Sequence, residues 1–222
     1  MLASEIIDRA RPILHDNEGV RWPQAELLAY ISDAQHQIIE IKPTANAVTA
    51  RITIQPNRPD QEIPENAQKM LRLVRNVLAN DRPGRGIVLT SRAVMDAMNP
   101  EWPSEAGIEV EKWLYDPDSD RSTFWVYPSV MNPVEVEAVY SSLPDPVLLA
   151  TDQLSLSGRY INQILDWVLF RAFSKDADYA GASQRSMQHL DAFATAMGVK
   201  MQQMMRTNPN LTRRGGETMG KT

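Results

Sequence analysis

Three aspartates stand at alternate positions in one short stretch of the chain, Asp116, Asp118 and Asp120. Carboxylates at this spacing open the calcium loop of EF-hand proteins, which also needs a glycine at position six and a glutamate at position twelve. Those two positions hold Arg121 and Tyr127. Because the stretch also contains a proline and lies between two segments typical of strands, it predicts a hairpin loop and no metal site.

The three histidines, His15, His36 and His189, form neither a two-histidine metal spacing nor a serine–histidine–aspartate pattern. The chain also lacks a G-x-S-x-G motif and any cysteine, so thiol nucleophiles, disulfides and cysteine-built zinc sites are excluded. His36 and His189 fall beside the apolar faces of their helical segments, which predicts surface histidines. We predict no catalytic residue, no metal and no cofactor.

Paired carboxylates would suit the acid–base cleavage of a glycan. The candidates are Glu109, Glu111, Glu135 and Glu137. They alternate along predicted strands, as residues on the outer face of a sheet do, and no pair stands out. The sequence therefore favours a protein that is not an enzyme, while a glycan hydrolase stays an alternative.

The amino-acid composition narrows the possible classes of protein further. The 222 residues carry a net charge of −5, with 43% apolar and 23% charged residues, which is ordinary for a globular protein. The arginines are scattered, so a nucleic-acid-binding module is a weaker alternative, although a local basic patch stays open. No apolar run approaches the ~18 residues that a membrane helix needs, so no membrane partner is predicted.

Apolar residues recur about every 3.6 residues near the N-terminus, as in a helix, and every 2 residues in the middle of the chain, as in a strand. Near the C-terminus the period returns to about 3.6 residues. We therefore predict an α+β protein. Residues 1–43 and 153–205 form an antiparallel helical bundle, and residues 47–147 form an inserted β-rich domain that is meander- or sandwich-like. Within the bundle, we predict that Trp22 is buried at the start of its helix. Residues 207–222, rich in glycine, asparagine and basic side chains, are predicted to be a flexible docking tail.

Five methionines crowd the last predicted helix, and they allow two interpretations. They can be ordinary core, or they can form an adaptable contact surface, which we favour near the end of the helix. A 4-3 alternation predicts a packing seam through Ala180, Ser183, Met187, Leu190, Ala194, Met197, Met201 and Met204. The predicted partner interface comprises Met197, Met201, Met204, Met205, Arg206, Arg213, Arg214 and Lys221.

An ordered set of phrases spans roughly residues 1–200 and resembles the head-to-tail adaptor (connector) family of tailed phages, of the tail tubular protein A type. None of these phrases is a catalytic signature, and the specificity lies in their order. They are RWPQAELLAYISDAQHQI, IPENAQKMLRLVRNV, GRGIVLTSRAVMDAMNPEWP, LYDPDSDRSTFWVYP and YINQILDWVLFRAFSKDAD.

The resemblance implies a structural virion protein at the head–tail interface, assembled in the host cytoplasm. Such adaptors form a ring, usually of twelve copies, beneath the portal protein, and the ring is extended by the tail nozzle protein. The expected partners are therefore the portal, the nozzle, tail fibres and other copies of the chain. Genomic DNA would pass through the ring without specific binding.

Overall fold

A computed structural model describes residues 1–175 and 180–207, with the backbone alone at residue 180 and over 199–207. The chain forms two compact units. Met1–Lys42 and the described residues from Pro144 onward form a helical unit, and Pro43–Leu143 forms a β-rich unit. The prediction of a mixed α+β protein is confirmed.

The helices of the described residues lie mostly in the helical unit. They are α1 (Ala3–Leu14), α2 (Gln24–Ile41), α3 (Arg92–Met98), α4 (Ile161–Lys175) and α5 (Ala180–Thr207), of which α3 belongs to the β-rich unit. Within the helical unit α4 packs against α1, α2 and α5. The apolar faces of α1 and α2 supply fully buried side chains, including Ile6, Leu27 and Ile31.

Trp22 is buried, as predicted, with 4% of its surface exposed. Its indole Nε1 donates a hydrogen bond to the carbonyl oxygen of Ala172, 3.1 Å away. That carbonyl is in the last turn of α4, where helical carbonyls have no partner within the helix. Trp22 therefore fills the core and also caps α4.

Two details of the C-terminal helices differ from the sequence-based prediction. The helix expected from residue 153 begins at Ile161, because residues before it form turns and a short 3-10 helix, Gly158–Tyr160. The predicted seam of α5 is also displaced. Ser186, Phe193 and Met197 are buried, whereas Ser183, Met187 and Ala194 are exposed. Phe193 stacks obliquely on Trp167 of α4, and burying this large ring sets the rotation of the helix.

The β-rich unit contains two four-stranded sheets and one small pair. The first sheet has the strand order β1-β10-β3-β4 and the second β2-β8-β7-β5, while β6 pairs with β9. The strands are β1 (Ala47–Ile54), β2 (Asp60–Glu62), β3 (Ala67–Val77), β4 (Pro83–Gly86), β5 (Val88–Leu89), β6 (Ala106–Gly107), β7 (Lys112–Leu114), β8 (Thr123–Tyr127), β9 (Ser129–Val130) and β10 (Val134–Ser142).

The expected meander of β7, β8 and β10 is wrong. β7 and β8 form an antiparallel hairpin, but β10 lies in the other sheet between β1 and β3. The reason is visible in the pairing, because β10 is paired along its whole length, with β1 on one side and β3 on the other. One core joins side chains of both sheets, among them Leu73 and Val136 of the first and Trp113 and Phe124 of the second.

Asn76 is the buried polar residue that links β3 to the chain before β7. It is 1% exposed. Its Nδ2 donates to the carbonyl oxygens of Val110, at 2.7 Å, and Arg85, at 3.1 Å. Its Oδ1 accepts from the backbone N–H of Val110 at 2.9 Å. The asparagine therefore satisfies three backbone groups inside the β-rich unit.

Candidate functional site

Three of the four glutamates that could perform chemistry, Glu109, Glu111 and Glu137, are engaged in structural contacts. Glu109 and Glu111 share Arg85, whose Nη1 lies 3.5 and 2.7 Å from them. Glu137 lies 2.9 Å from the Nε of Arg75, an ion pair without the alignment of a hydrogen bond. A glycan-cleaving pair needs one carboxyl group that stays protonated in an apolar pocket. These glutamates face cations on partly exposed surface, so the arrangement favours an ordinary outer sheet face.

The aspartate-rich stretch is the hairpin loop between β7 and β8. Asp116 accepts hydrogen bonds from the Ser119 hydroxyl, at 2.7 Å, and from the backbone N–H of Asp118. Asp120 accepts from the hydroxyl and backbone N–H of Ser122, at 2.6 and 2.8 Å. The Ser119 and Ser122 hydroxyls lower the pKa of Asp116 and Asp120 respectively. Both carboxylates therefore brace the loop itself.

The histidines lie apart from one another. His15 and His36 are exposed. His189, expected at the surface, is instead half-buried between α4 and α5. Its Nδ1 lies 3.0 Å from an oxygen of Asp166, and its ring stacks on Phe173. These contacts fasten one helix to the other.

The outer face of the first sheet carries charges of both signs. A row crosses β1, β10 and β3 through Arg51, Glu137 and Arg75. Arg51 also pairs with Asp81. A cavity of about 460 Å³ opens beside this row, and Arg82 contributes to its lining. Surface ion pairs of this kind contribute ~0–1 kcal/mol to stability, so the row suits a polar protein contact better than a substrate pocket.

The predicted interface residues lie at and beyond the end of α5. Met197 is 1% exposed and packs within its own chain, so its side chain is not available at the surface of the described structure. The backbone of α5 continues through residues 201–206, which include three methionines and Arg206, but their side chains are outside the description. Arg213, Arg214 and Lys221 fall outside the described residues altogether.

Sequence reasoning missed two loops of the helical unit that hold apolar side chains in solvent. Leu148 and Leu149 are 72% and 62% exposed, and Val20 is 81% exposed. The leucines follow Pro144 and Pro146 in a linker and belong to no apolar face, so no periodicity predicts their exposure. Leu148 and Leu149 are adjacent, whereas Val20 stands alone, and a single exposed apolar residue is ordinary on a protein surface.

The described helices include none that is long and apolar enough to cross a bilayer. Among the described residues, no group of three or more histidine, cysteine or acidic side chains is placed to hold a metal ion.

Comparison with known proteins shows to which family the chain belongs. A protein-family model described as SU10 adaptor protein matches residues 1–214 of the 222. No curated protein matches the chain. The match spans residues of both compact units and confirms the resemblance to phage head-to-tail adaptors. The chain therefore belongs to the SU10 adaptor protein family and is a structural component of the virion that joins head to tail.

Proposed function

We propose that this adaptor assembles as a ring of twelve copies between the portal and the tail nozzle and continues the channel through which DNA leaves the capsid. The observation that carries the proposal is the family match over almost the whole chain, which covers both the helical and the β-rich unit. The helical unit joins N-terminal and C-terminal segments in one body, in an antiparallel bundle arrangement, and the sandwich-like β-rich unit is inserted between them. This organisation gives each copy two bodies with which to meet different neighbours.

The charge of the chain suits passage of DNA. Twelve copies with a net charge of −5 each would surround the duplex with like charge. Phosphates would then slide past the wall without being captured, because tight non-specific binding requires lysines and arginines that neutralise phosphates. The described arginines of the β-rich unit are largely paired with carboxylates, which agrees with this role.

The portal contact is assigned to the end of α5 and the segment that follows it. The interface residues are Met201, Met204, Met205, Arg206, Arg213, Arg214 and Lys221, with the buried Met197 anchoring the helix in its own unit. Thioether side chains adapt to irregular surfaces, and arginines form charge-assisted hydrogen bonds to carboxylates. An acidic surface of the portal is therefore the fitting partner, and nozzle and fibres would bind the remaining faces of the ring.

The test is a truncation that removes residues 207–222. The truncated protein should keep the melting temperature of the full chain but fail to bind heads that carry the portal, as measured by sedimentation of purified heads with added adaptor. A variant with Arg213, Arg214 and Lys221 replaced by serine should lose most of the binding. Truncated protein that completes heads as efficiently as the full chain would refute the docking assignment. Full-length protein that neither binds such heads nor forms rings on them would refute the proposed function.

A further inference from the structure

β1 lies at the edge of the first sheet, and one of its sides is open. Its eight residues, Ala47–Ile54, pair in continuous register with β10. Among the described residues, the backbone of β1 has hydrogen-bond partners in β10 alone. Successive residues of a strand point their N–H and C=O groups to opposite sides. About half of these groups in β1 therefore face away from β10 and are available to another strand.

The open edge ends where the strand ends, at Ile54. The next residue, Gln55, has both of its backbone groups bonded by the side-chain amide of Gln61. The Gln55 N–H donates to Oε1 of Gln61 at 2.7 Å, and Nε2 of Gln61 donates to the Gln55 carbonyl oxygen at 3.1 Å. Gln61 is 3% exposed, so the chain closes this part of its backbone from within. The eight residues of β1, about 26 Å long, have no such side chain beside them.

β1 also lacks the features that usually protect an edge strand from pairing with another chain, which are prolines, bulges and charged side chains. It contains no proline, and its pairing with β10 has no register shift, whereas the pairing of β10 with β3 has three. Its one charged residue, Arg51, forms an ion pair with Asp81 in the turn between β3 and β4. The guanidinium therefore lies across the face of the sheet and leaves the edge uncovered.

The side chains of β1 indicate what fits beside it. Those that face the core of the β-rich unit are all apolar, and their exposure falls along the strand from 37% at Val48 to 0% at Ile54. Between these two residues, Ala50 and Ile52 are half-buried. The core is therefore incomplete along this edge. Opposite residues of paired strands place their side chains on the same face, so a neighbouring strand with apolar residues at alternate positions would complete it.

We infer that an extended segment of a different virion protein adds to the first sheet as a fifth strand beside β1. Only an extended backbone can pair with the open N–H and C=O groups, and these main-chain bonds supply affinity in strand addition. The segment carries apolar side chains at alternate positions, opposite Val48, Ala50 and Ile52, and these positions supply the specificity.

Other copies of the chain do not fit this role. Copies related by the rotation of a ring never present the same patch to each other, so β1 cannot pair with β1 of the next copy. This step rests on the proposed ring. The other edge strands of the described residues have four residues at most, too few to cover eight. The sequence of residues 208–222 has only two large apolar side chains, Leu211 and Met219, and so supplies no alternating apolar row.

Photo-cross-linking from β1 identifies the occupant. Full-length adaptor with p-benzoylphenylalanine in place of Val48 is incorporated into complete phage particles, which are irradiated and analysed by mass spectrometry. We expect an adduct between β1 and an extended, alternately apolar segment of another virion protein. The same amino acid in place of Met187, an exposed residue of α5, is the control and should not react with that segment. An adduct between two adaptor copies, or no adduct at all, would overturn the inference.

Hydrogen exchange gives a second readout on the unaltered chain. About half of the β1 amides should exchange rapidly in the purified adaptor and become protected in complete particles. Unchanged exchange of β1 between the two states would contradict the added strand.

A pair of charge substitutions separates the contact from folding. Val48→Lys should keep the wild-type melting temperature but reduce the yield of complete particles by roughly tenfold or more, because its amine would face the apolar row of the added strand. Thr49→Lys places the same charge on the outer face of β1 and should give the wild-type yield. Equal yields from the two variants would overturn the added strand but leave the adaptor function intact. Wild-type protein that forms no ring on portal-bearing heads would instead refute the proposed function itself.

Discussion

Replacing Trp22 by alanine should destabilise the helical unit more than any exposed substitution near it. The side chain is 4% exposed and joins the start of α2 to the end of α4 through its bond to the Ala172 carbonyl. Alanine would leave a cavity with nearly the volume of the indole ring, and it would leave the Ala172 carbonyl near the C-terminus of α4 without its hydrogen bond. Both losses fall on the contact that holds N-terminal and C-terminal segments together.

The magnitude follows from these two losses. Truncating a buried tryptophan to alanine costs about 3–5 kcal/mol of unfolding free energy. The hydrogen bond can be separated from the packing with Trp22→Phe, which keeps most of the apolar contact but strands the Ala172 carbonyl, at a cost of about 1–3 kcal/mol. Since 1 kcal/mol shifts the melting temperature of a protein of this size by about 2–4 °C, Trp22→Ala should lower it by roughly 6–20 °C.

Circular dichroism at helical wavelengths during thermal and urea unfolding is the appropriate assay, because it follows the helical unit. Glu18→Ala, an exposed change in the loop before Trp22, is the matched control and should stay within about 0.5 kcal/mol of the wild type. We expect the order Trp22→Ala, Trp22→Phe, Glu18→Ala from least to most stable. A melting temperature of Trp22→Ala equal to that of Glu18→Ala would refute the reasoning, since it would mean that the indole contributes nothing to the junction of α2 and α4.

Three further predictions address the β-rich unit, the helical unit and the channel. Asn76→Ala should cost about 2–4 kcal/mol in urea unfolding, because it strands buried backbone groups such as those of Val110, and an unchanged midpoint would contradict this. Burial, together with a 2.6 Å hydrogen bond to Glu26, raises the pKa of Tyr30 to about 12. A tyrosine whose pKa is higher in the folded than in the unfolded state adds to the stability of the fold at pH values below its unfolded pKa. The stability that Tyr30 adds should therefore be lost as the pH rises from about 10 to about 12. Tyr30→Phe should therefore weaken the pH dependence of the melting temperature in that range, and the tyrosine that titrates at about pH 12 should disappear from its ultraviolet titration. Purified adaptor should show no strong duplex binding at ~50 mM salt, and a tight complex that dissociates by ~200 mM would refute the like-charged channel.

The sequence was informative where local spacing decides structure. The apolar residues of 70–78 fit a helix or a strand, but the turn residues that follow at once favour a strand, and residues 70–77 belong to β3. Serine is a typical helix cap, and the Oγ of Ser91 accepts a hydrogen bond from the N–H of Val94 at the start of α3. Trp22 could be placed in the core from its position beside a helix-starting proline. These features depend on residues a few positions apart.

The wrong predictions concern features that depend on contacts between distant segments of the chain. β10 has the alternation of any half-buried strand, and nothing in its own residues shows that β1 and β3 will pair with it. The rotation of α5 depends on the contact of Phe193 with Trp167, which leaves Met187, a residue that the 4-3 alternation placed in the seam, exposed. The exposure of Leu148 and Leu149 could not be predicted, because a linker has no periodicity that indicates which side chains are exposed. Surface sites of this kind become visible only when the burial of each side chain is known.

The two loops of the helical unit that expose apolar side chains share one structural device. In each loop a single aspartate accepts hydrogen bonds from several backbone N–H groups, Asp16 in the loop at residues 15–21 and Asp152 in the loop at residues 147–152. The hydrogen bond from the Trp22 N–H is the main cause that lowers the pKa of Asp16. The Asp16 carboxylate is therefore charged throughout the physiological pH range and continues to accept these hydrogen bonds. A carboxylate that fixes a backbone frees the neighbouring apolar side chain from any role in the core. The chain can thus expose leucine and valine at chosen positions while its own stability rests on buried residues such as Trp22.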